Sequence, residues 1–192
     1  MFKAKIWAVV WMLFLSCVVS AHELEARSTT VAIYIQAQDY NHQLRLHHYS
    51  IDYWYSQGPM LEDAATQVLG QDFKDVAMCD ESPASAKVLV WLRPRMFYNP
   101  QVQTFYGKVI AYVYTPDGKP LGNYVGKAET QGFLDIKPEK HLQAAYQGAM
   151  QDVSAKMQAD AKFQEALKAA PGALPCATTG LLPEPKVQFM GF

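Results

Sequence analysis

From Thr30 to Ala37 the apolar residues Val31, Ile33 and Ile35 alternate with Ala32, Tyr34 and Gln36, a period of two that predicts a half-buried strand. A polar break, Gln38-Asp39-Tyr40-Asn41-His42, separates it from Leu44 to Tyr55. That stretch is again β-rich and puts Tyr49, Ile51, Tyr53 and Tyr55 on one face, as a second strand or an extended arm. The rhythm then changes. Leu61, Ala64, Ala65, Val68 and Leu69 recur at i, i+3, i+4, i+7 and i+8, which predicts a helix with one apolar face, opened by Gly58-Pro59 and ended by Gly70. Glu62 and Asp63 stand near its positive end.

Val76 to Cys79 is a short apolar piece, and Asp80 to Ser85 a polar turn whose adjacent carboxylates Asp80 and Glu81 read as solvated turn residues. Lys87 to Arg93 is apolar without interruption from Val88 to Leu92, as expected of a central strand buried on both faces, and Pro94 is expected to stop it. Thr104 to Tyr114 alternates Phe105, Val109, Ala111 and Val113 with Tyr106, Ile110, Tyr112 and Tyr114. The turn Thr115-Pro116-Asp117-Gly118-Lys119 returns the chain through Leu121 to Glu129. Leu142, Ala145, Tyr146, Ala149, Met150, Val153 and Met157 give a helix from Pro138. Continued to Ala169 it would be about 50 Å long, so a bend is expected near Ala159-Asp160. Pro171, Pro175, Pro183 and Pro185 keep the last segment extended.

This order predicts an α+β fold in a single domain: a mainly antiparallel sheet with two amphipathic helices packed on one face. The domain spans residues 22–170, followed by a Pro-rich extended tail, 171–192.

Residues 1–21 have a different pattern. Lys3 and Lys5 precede an unbroken apolar run from Ile6 to Leu15, and Val19-Ser20-Ala21 supplies small residues at a cleavage site, so the segment reads as a secretory signal peptide. The run is shorter than the roughly 20 apolar residues a bilayer-spanning helix needs. The expected location is the periplasm. Removal of Lys3 and Lys5 takes the formal charge from −1 to −3, which leaves no basic excess for nucleic acid. Cys17 follows Phe14-Leu15-Ser16, loosely a lipobox, so acylation at Cys17 and outer-membrane anchoring is the alternative to plain cleavage. Cys79 and Cys176 are then the remaining thiols and are expected to pair in an oxidising compartment.

Candidate chemistry is sparse. No Gly-x-Ser-x-Gly, His-Glu-x-x-His or phosphate-cradling glycine loop occurs, and the chain is read as a non-enzyme without a cofactor. Cleavage after Ala21 would make His22 the terminal residue, able to chelate copper through its amine and imidazole. His42 or His47 would complete the site if the chain folds back, whereas alternation puts His47 and His48 on opposite faces of a strand. Arg93-Pro94-Arg95, between Trp91 and Phe97, is the one basic spot beside aromatics, and its guanidinium groups suit a phosphate or a partner carboxylate. Tyr112 and Tyr114 belong to an aromatic-rich hairpin suited to an interface. In the tail, Phe189 and Phe192 with Val187 and Met190 form an extended apolar segment that returns to a sheet edge or engages a partner.

The exported start, the helix before a short β piece, the strand Val88-Leu89-Val90-Trp91-Leu92, the hairpin from Gly107 to Leu121 and the closing amphipathic helix together resemble small envelope lipoproteins of Gram-negative bacteria. These are the auxiliary lipoproteins of lipid-transport ABC systems, the YajG-like lipoproteins and, more distantly, the lipopolysaccharide-assembly lipoprotein. The likeness covers about residues 28–168 and is a pattern of elements. It implies a non-enzymatic accessory subunit of an envelope transport or assembly complex. Membrane association would run through a lipid anchor or that partner, and the resemblance transfers no active-site residue. The oligomeric state is left open. The alternative class is a periplasmic copper or small-ligand protein using His22.

Overall fold

The computed structural model describes residues 29–79 and 85–173, together with Cys176 and Leu182. The chain forms β1 (Thr29–Ile35), α1 (Ala37–Tyr40), β2 (Gln43–His48), β3 (Ile51–Ser56), α2 (Gln57–Asp72) and β4 (Val76–Met78). These are followed by β5 (Ser85–Asn99), β6 (Thr104–Tyr114), β7 (Pro120–Gln131), α3 (Pro138–Ala159), α4 (Ala161–Lys168) and β8 (Gly172–Ala173). The main sheet runs β4-β1-β5-β6-β7, with β8 pairing the start of β5, and β2 and β3 form a separate two-stranded ribbon.

The sheet is mixed, so the expected antiparallel arrangement holds for part of it. β1 is parallel to both of its neighbours, β4 and β5, while β5, β6 and β7 run antiparallel. Parallel neighbours need a long crossover, and the ribbon and α2 supply it between β1 and β4. Side-chain periodicity carries no information on strand direction, which is why the parallel pairing of β1 was not foreseen.

Two further expectations are corrected. Leu44 to Tyr55 is not one element but a hairpin, with Leu44 opposite Tyr55 and His48 opposite Ile51. Its turn rests on Tyr49 at φ 54°, without the Asn-Gly or Gly that advertises such turns. Pro94 does not end its strand either, since β5 continues to Asn99 and Pro94 pairs with Val109. The pairing of β1 with β5 finishes at Ile35–Leu92, so Pro94 lies where β5 has become an edge on that side and a missing N–H is tolerated.

Alternation divides the sheet into two faces. Val31, Ile33, Val88, Val90, Leu92, Phe105, Val109, Ala111 and Val113 point to one face and pack against Leu61, Ala64, Val68 and Leu69 of α2 and Leu142, Tyr146, Met150 and Val153 of α3. Burial of this apolar surface is the main favourable term in the fold. α3 lies close on β6 and β7, and Gly126 permits it: a Cβ there would collide with the Ala149 carbonyl oxygen. The buried polar groups on this face have partners, with Tyr146 Oη donating to Gln57 Oε1 at 2.7 Å and Ser154 Oγ to Asp72 at 2.5 Å, so both bonds tie α2 to α3. The expected bend is present at Asp160, whose extended backbone separates α3 from α4 and whose carboxylate caps α4 through the Lys162 N–H at 2.8 Å.

The opposite face carries a smaller cluster of Ala32, Ala86, Leu89, Trp91, Tyr112 and Tyr114, with Leu182 packed against it. Cys79 and Cys176 form a disulfide, Cα–Cα 5.4 Å, which ties the chain beyond α4 to the end of β4. Farther along this face Phe97 is exposed and Tyr106, Lys108 and Ile110 are partly exposed.

Candidate functional site

The face opposite α2 and α3 is built by cross-strand register. Side chains of β5 with odd numbers point to it. Antiparallel pairing sets Arg95 opposite Lys108 and Lys108 opposite Lys127, so three cations stand in one row across three strands. Strands are about 4.8 Å apart, which makes the row about 10 Å long. On one side the next row is Phe97, Tyr106 and Glu129, with the Phe97 and Tyr106 rings 6.0 Å apart. Phe97, Asn99, Tyr106, Lys108, Lys127 and Glu129 line a shallow hollow of about 380 Å³. On the other side Arg93, Ile110 and Val125 lead to the buried Trp91 and Tyr112.

Like charges directly opposite each other destabilise an antiparallel pair, and here the arrangement occurs twice in succession. Burial, and then the neighbouring charges of Lys127 and Arg95, hold the Lys108 ammonium below the usual lysine range. Among the described residues, three acids lie near the row, one of them Asp152, whose carboxylate accepts from the Lys127 N–H at 3.0 Å. Asp39 of α1 takes Arg93 Nε at 3.0 Å and reaches Arg95 at 3.8 Å, while Glu129 is two residues along β7 from Lys127. The row thus gathers three basic side chains in an otherwise mildly acidic chain. With an aromatic pair as its floor on one side, it can hold a multivalent anionic group by charge-assisted hydrogen bonds.

The sequence-predicted contact residues fall in different places. Arg95 is on the row and half exposed. Arg93 is 17% exposed and engaged with Asp39, itself 13% exposed, so this pair fastens α1 to the strand edge. Tyr112 and Tyr114 are buried, at 4% and 3% exposure, and burial pushes both phenols above their ordinary pKa. Phe189, Phe192, His22 and Cys17 lie outside the described residues, as do Asp80 and Glu81. His42 is exposed ahead of β2 and His47 is five residues on, about 16 Å along an extended chain, so the structure does not bring them together. His47 Nδ1 instead lies 2.9 Å from Asp52, which also pairs with Arg45 at 2.8 Å. The Arg45 contact and then His47 lower the Asp52 pKa. His48 points inward against Tyr98, on the opposite side from His47 as alternation requires. Among the described residues no group of three or more His, Cys, Asp or Glu side chains is placed to hold a metal ion.

Lys108 and Lys127 were missed as site residues. The hairpin alone did not reveal the pairing: carried outward from the Tyr114–Pro120 pair beside the turn, its register sets Lys108 opposite Gly126. A one-residue bulge between Val113 and Tyr114 offsets that register, and the sequence gives no mark of it.

No family model matches this chain, and no curated protein matches it. Two solved structures overlap part of its architecture. One is a "putative lipoprotein" from Caulobacter crescentus, 14% identical, covering 73% of this chain and 93% of that one with a TM-score of 0.40. The other is a dodecamer of a PelC point variant from Paraburkholderia phytofirmans, 13% identical, covering 67% of this chain and 88% of that one with a TM-score of 0.41. At that level of likeness neither assigns a family or a function. No helix among the described residues is long and apolar enough to cross a membrane.

Proposed function

We propose that this chain is a non-enzymatic accessory subunit of a cell-envelope transport or assembly complex, exported by its N-terminal segment, which holds an acidic segment of its protein partner on the sheet face opposite α2 and α3. The observation that carries the reading is the Arg95-Lys108-Lys127 row. It sets three basic side chains side by side across three strands, a spacing that suits a run of carboxylates. The neighbouring Phe97–Tyr106 pair adds apolar contact area of the kind interfaces use. Export is supported by the Lys3/Lys5, apolar-run and Ala21 pattern, and a disulfide between Cys79 and Cys176 fits an oxidising compartment. Nothing in the described residues favours the copper reading, whose pivotal His22 lies outside them.

Fluorescence-anisotropy titration with a labelled hexaglutamate peptide tests this. Binding is expected at low ionic strength, weakening as salt rises, and it should be lost in the triple variant Arg95→Gln, Lys108→Gln, Lys127→Gln. Equal affinity of the triple variant would overturn the assignment of the site.

A further inference from the structure

The two edge strands of the main sheet are unlike in length: β4 has 3 residues and β7 has 12. Successive residues of a strand turn their backbone N–H and C=O to opposite sides, so with one side of β7 paired to β6, every second residue faces outward. The bonds made by α3 show which residues these are. The Lys127 N–H donates to Asp152 Oδ2 at 3.0 Å, and the Val125 carbonyl oxygen accepts from Lys156 Nζ at 2.7 Å, so the outward set is Val125, Lys127, Glu129 and Gln131. Asp152 and Lys156 also pair with each other at 2.8 Å, one turn apart on α3. A carboxylate thus stands where a neighbouring strand would put a carbonyl, and an ammonium where it would put an N–H. Among the described residues, the outward groups of Glu129 and Gln131 have no such substitute.

We propose that β7 is a strand-addition edge for a second copy of this chain, closed in the single chain by the Asp152–Lys156 pair. A long edge strand is a template for another strand, and the charges along this one select the occupant. Antiparallel strands exchange both backbone bonds between residues that face each other, so the outward, odd-numbered residues of one β7 must stand opposite odd-numbered residues of the other. With Ala128 on a two-fold axis, Lys127 of each copy meets Glu129 of the other, and Val125 meets Gln131. The next allowed register in either direction sets Lys127 against Lys127 or Glu129 against Glu129, which is unfavourable. The favoured register is therefore self-complementary, and it carries the row Arg95-Lys108-Lys127 on into Glu129 of the second copy. The closing pair can give way. The Lys156 and Asp152 side chains are 49% and 36% exposed, so their rotation, without any unfolding of α3, frees both backbone groups.

Sedimentation velocity of the full chain tests this, in wild type and in the variant Asp152→Ala, Lys156→Ala, whose substitutions lie on the half-exposed flank of α3 and leave the core untouched. The variant should form a dimer about tenfold tighter than wild type, because the two backbone groups no longer have to be released from their side-chain partners. Adding Lys127→Glu should abolish the dimer by setting a carboxylate against Glu129, and adding Glu129→Lys as well should restore it. In the dimer the amides of Glu129 and Gln131 should gain protection from hydrogen exchange while those of Val76–Met78 on β4 stay unchanged. In wild type the same two amide resonances should shift as protein concentration rises. A variant no more associated than wild type, association indifferent to Lys127→Glu, a charge swap that restores nothing, protection gained at β4 instead, or wild-type resonances fixed at every concentration would each overturn the inference. It does not rest on an acidic partner at the cation row, which the hexaglutamate titration reads in the single chain, so failure of one leaves the other standing.

Discussion

Lys108→Met removes the middle charge of the cation row and keeps an unbranched stem of similar length. Lys108 faces Arg95 on one side and Lys127 on the other, and directly opposed like charges destabilise an antiparallel pair, taken here as of the same order as the roughly 0.2–1 kcal/mol that a favourable cross-strand pair contributes. Two such pairs make the expected gain about 1 kcal/mol. For a domain of this size that raises Tm by about 2–4 °C. The sign of the pH dependence follows from the lowered pKa of Lys108. The folded state disfavours the charged form, so the penalty is complete at neutral pH and lifts as pH rises through the lowered pKa toward the ordinary lysine value of 10.5. Differential scanning calorimetry of wild type and variant, at low and at high salt, reads both effects. The variant should melt higher at low salt, and the gap should narrow with added salt or at alkaline pH. Hexaglutamate affinity should fall about tenfold in the same variant, the loss of one charge-assisted contact. A variant that melts lower than wild type, or a gap indifferent to salt, would refute the claim that the row is held against its own repulsion.

Gly126→Ala should cost about 3 kcal/mol in urea unfolding, because its Cβ would meet backbone of α3, while Gly70→Ala, with nothing within 4 Å on the exposed side of α2, should stabilise by about 0.5–1 kcal/mol; equal effects would contradict the close seat of α3. Asp39→Asn leaves the guanidinium of Arg93 half-enclosed without its carboxylate and should destabilise by about 2 kcal/mol, and Arg93→Met in that background should recover part of the loss by a double-mutant cycle. Reduction of the Cys79–Cys176 bridge, with its sequence separation of 97, should lower stability by about 4–5 kcal/mol on the chain-entropy account; coincident urea curves with and without reductant would contradict that account.

Much of the helix face was legible in the sequence because burial on one side imposes a period. The stripe Leu61, Ala64, Ala65, Val68, Leu69 faces the core as its spacing required, and β6 divides between Phe105, Val109, Ala111 and Val113 on one side and Tyr106, Ile110, Tyr112 and Tyr114 on the other. The break at Asp160 was legible from length alone. Strand direction was not, since β1 shows the same alternation whether its neighbours are parallel or antiparallel. Nor was the closure of the β7 edge, because Asp152 and Lys156 lie 25 and 31 residues from the strand groups they meet. Arg95 was legible as a candidate contact by its composition. Its meaning depended on partners 13 and 32 residues away, which only the register of two hairpins supplies.

On the proposed function, the face of β5, β6 and β7 opposite the helices is where this chain holds its partner. Amide and side-chain chemical-shift mapping of the labelled protein titrated with hexaglutamate tests that most directly. Shifts are expected to centre on Arg95, Lys108 and Lys127, to extend to Phe97 and Tyr106, and to be absent from α2 and α3. Shifts centred on the helices or on Arg45 and His47 of the ribbon, or none at all, would contradict it.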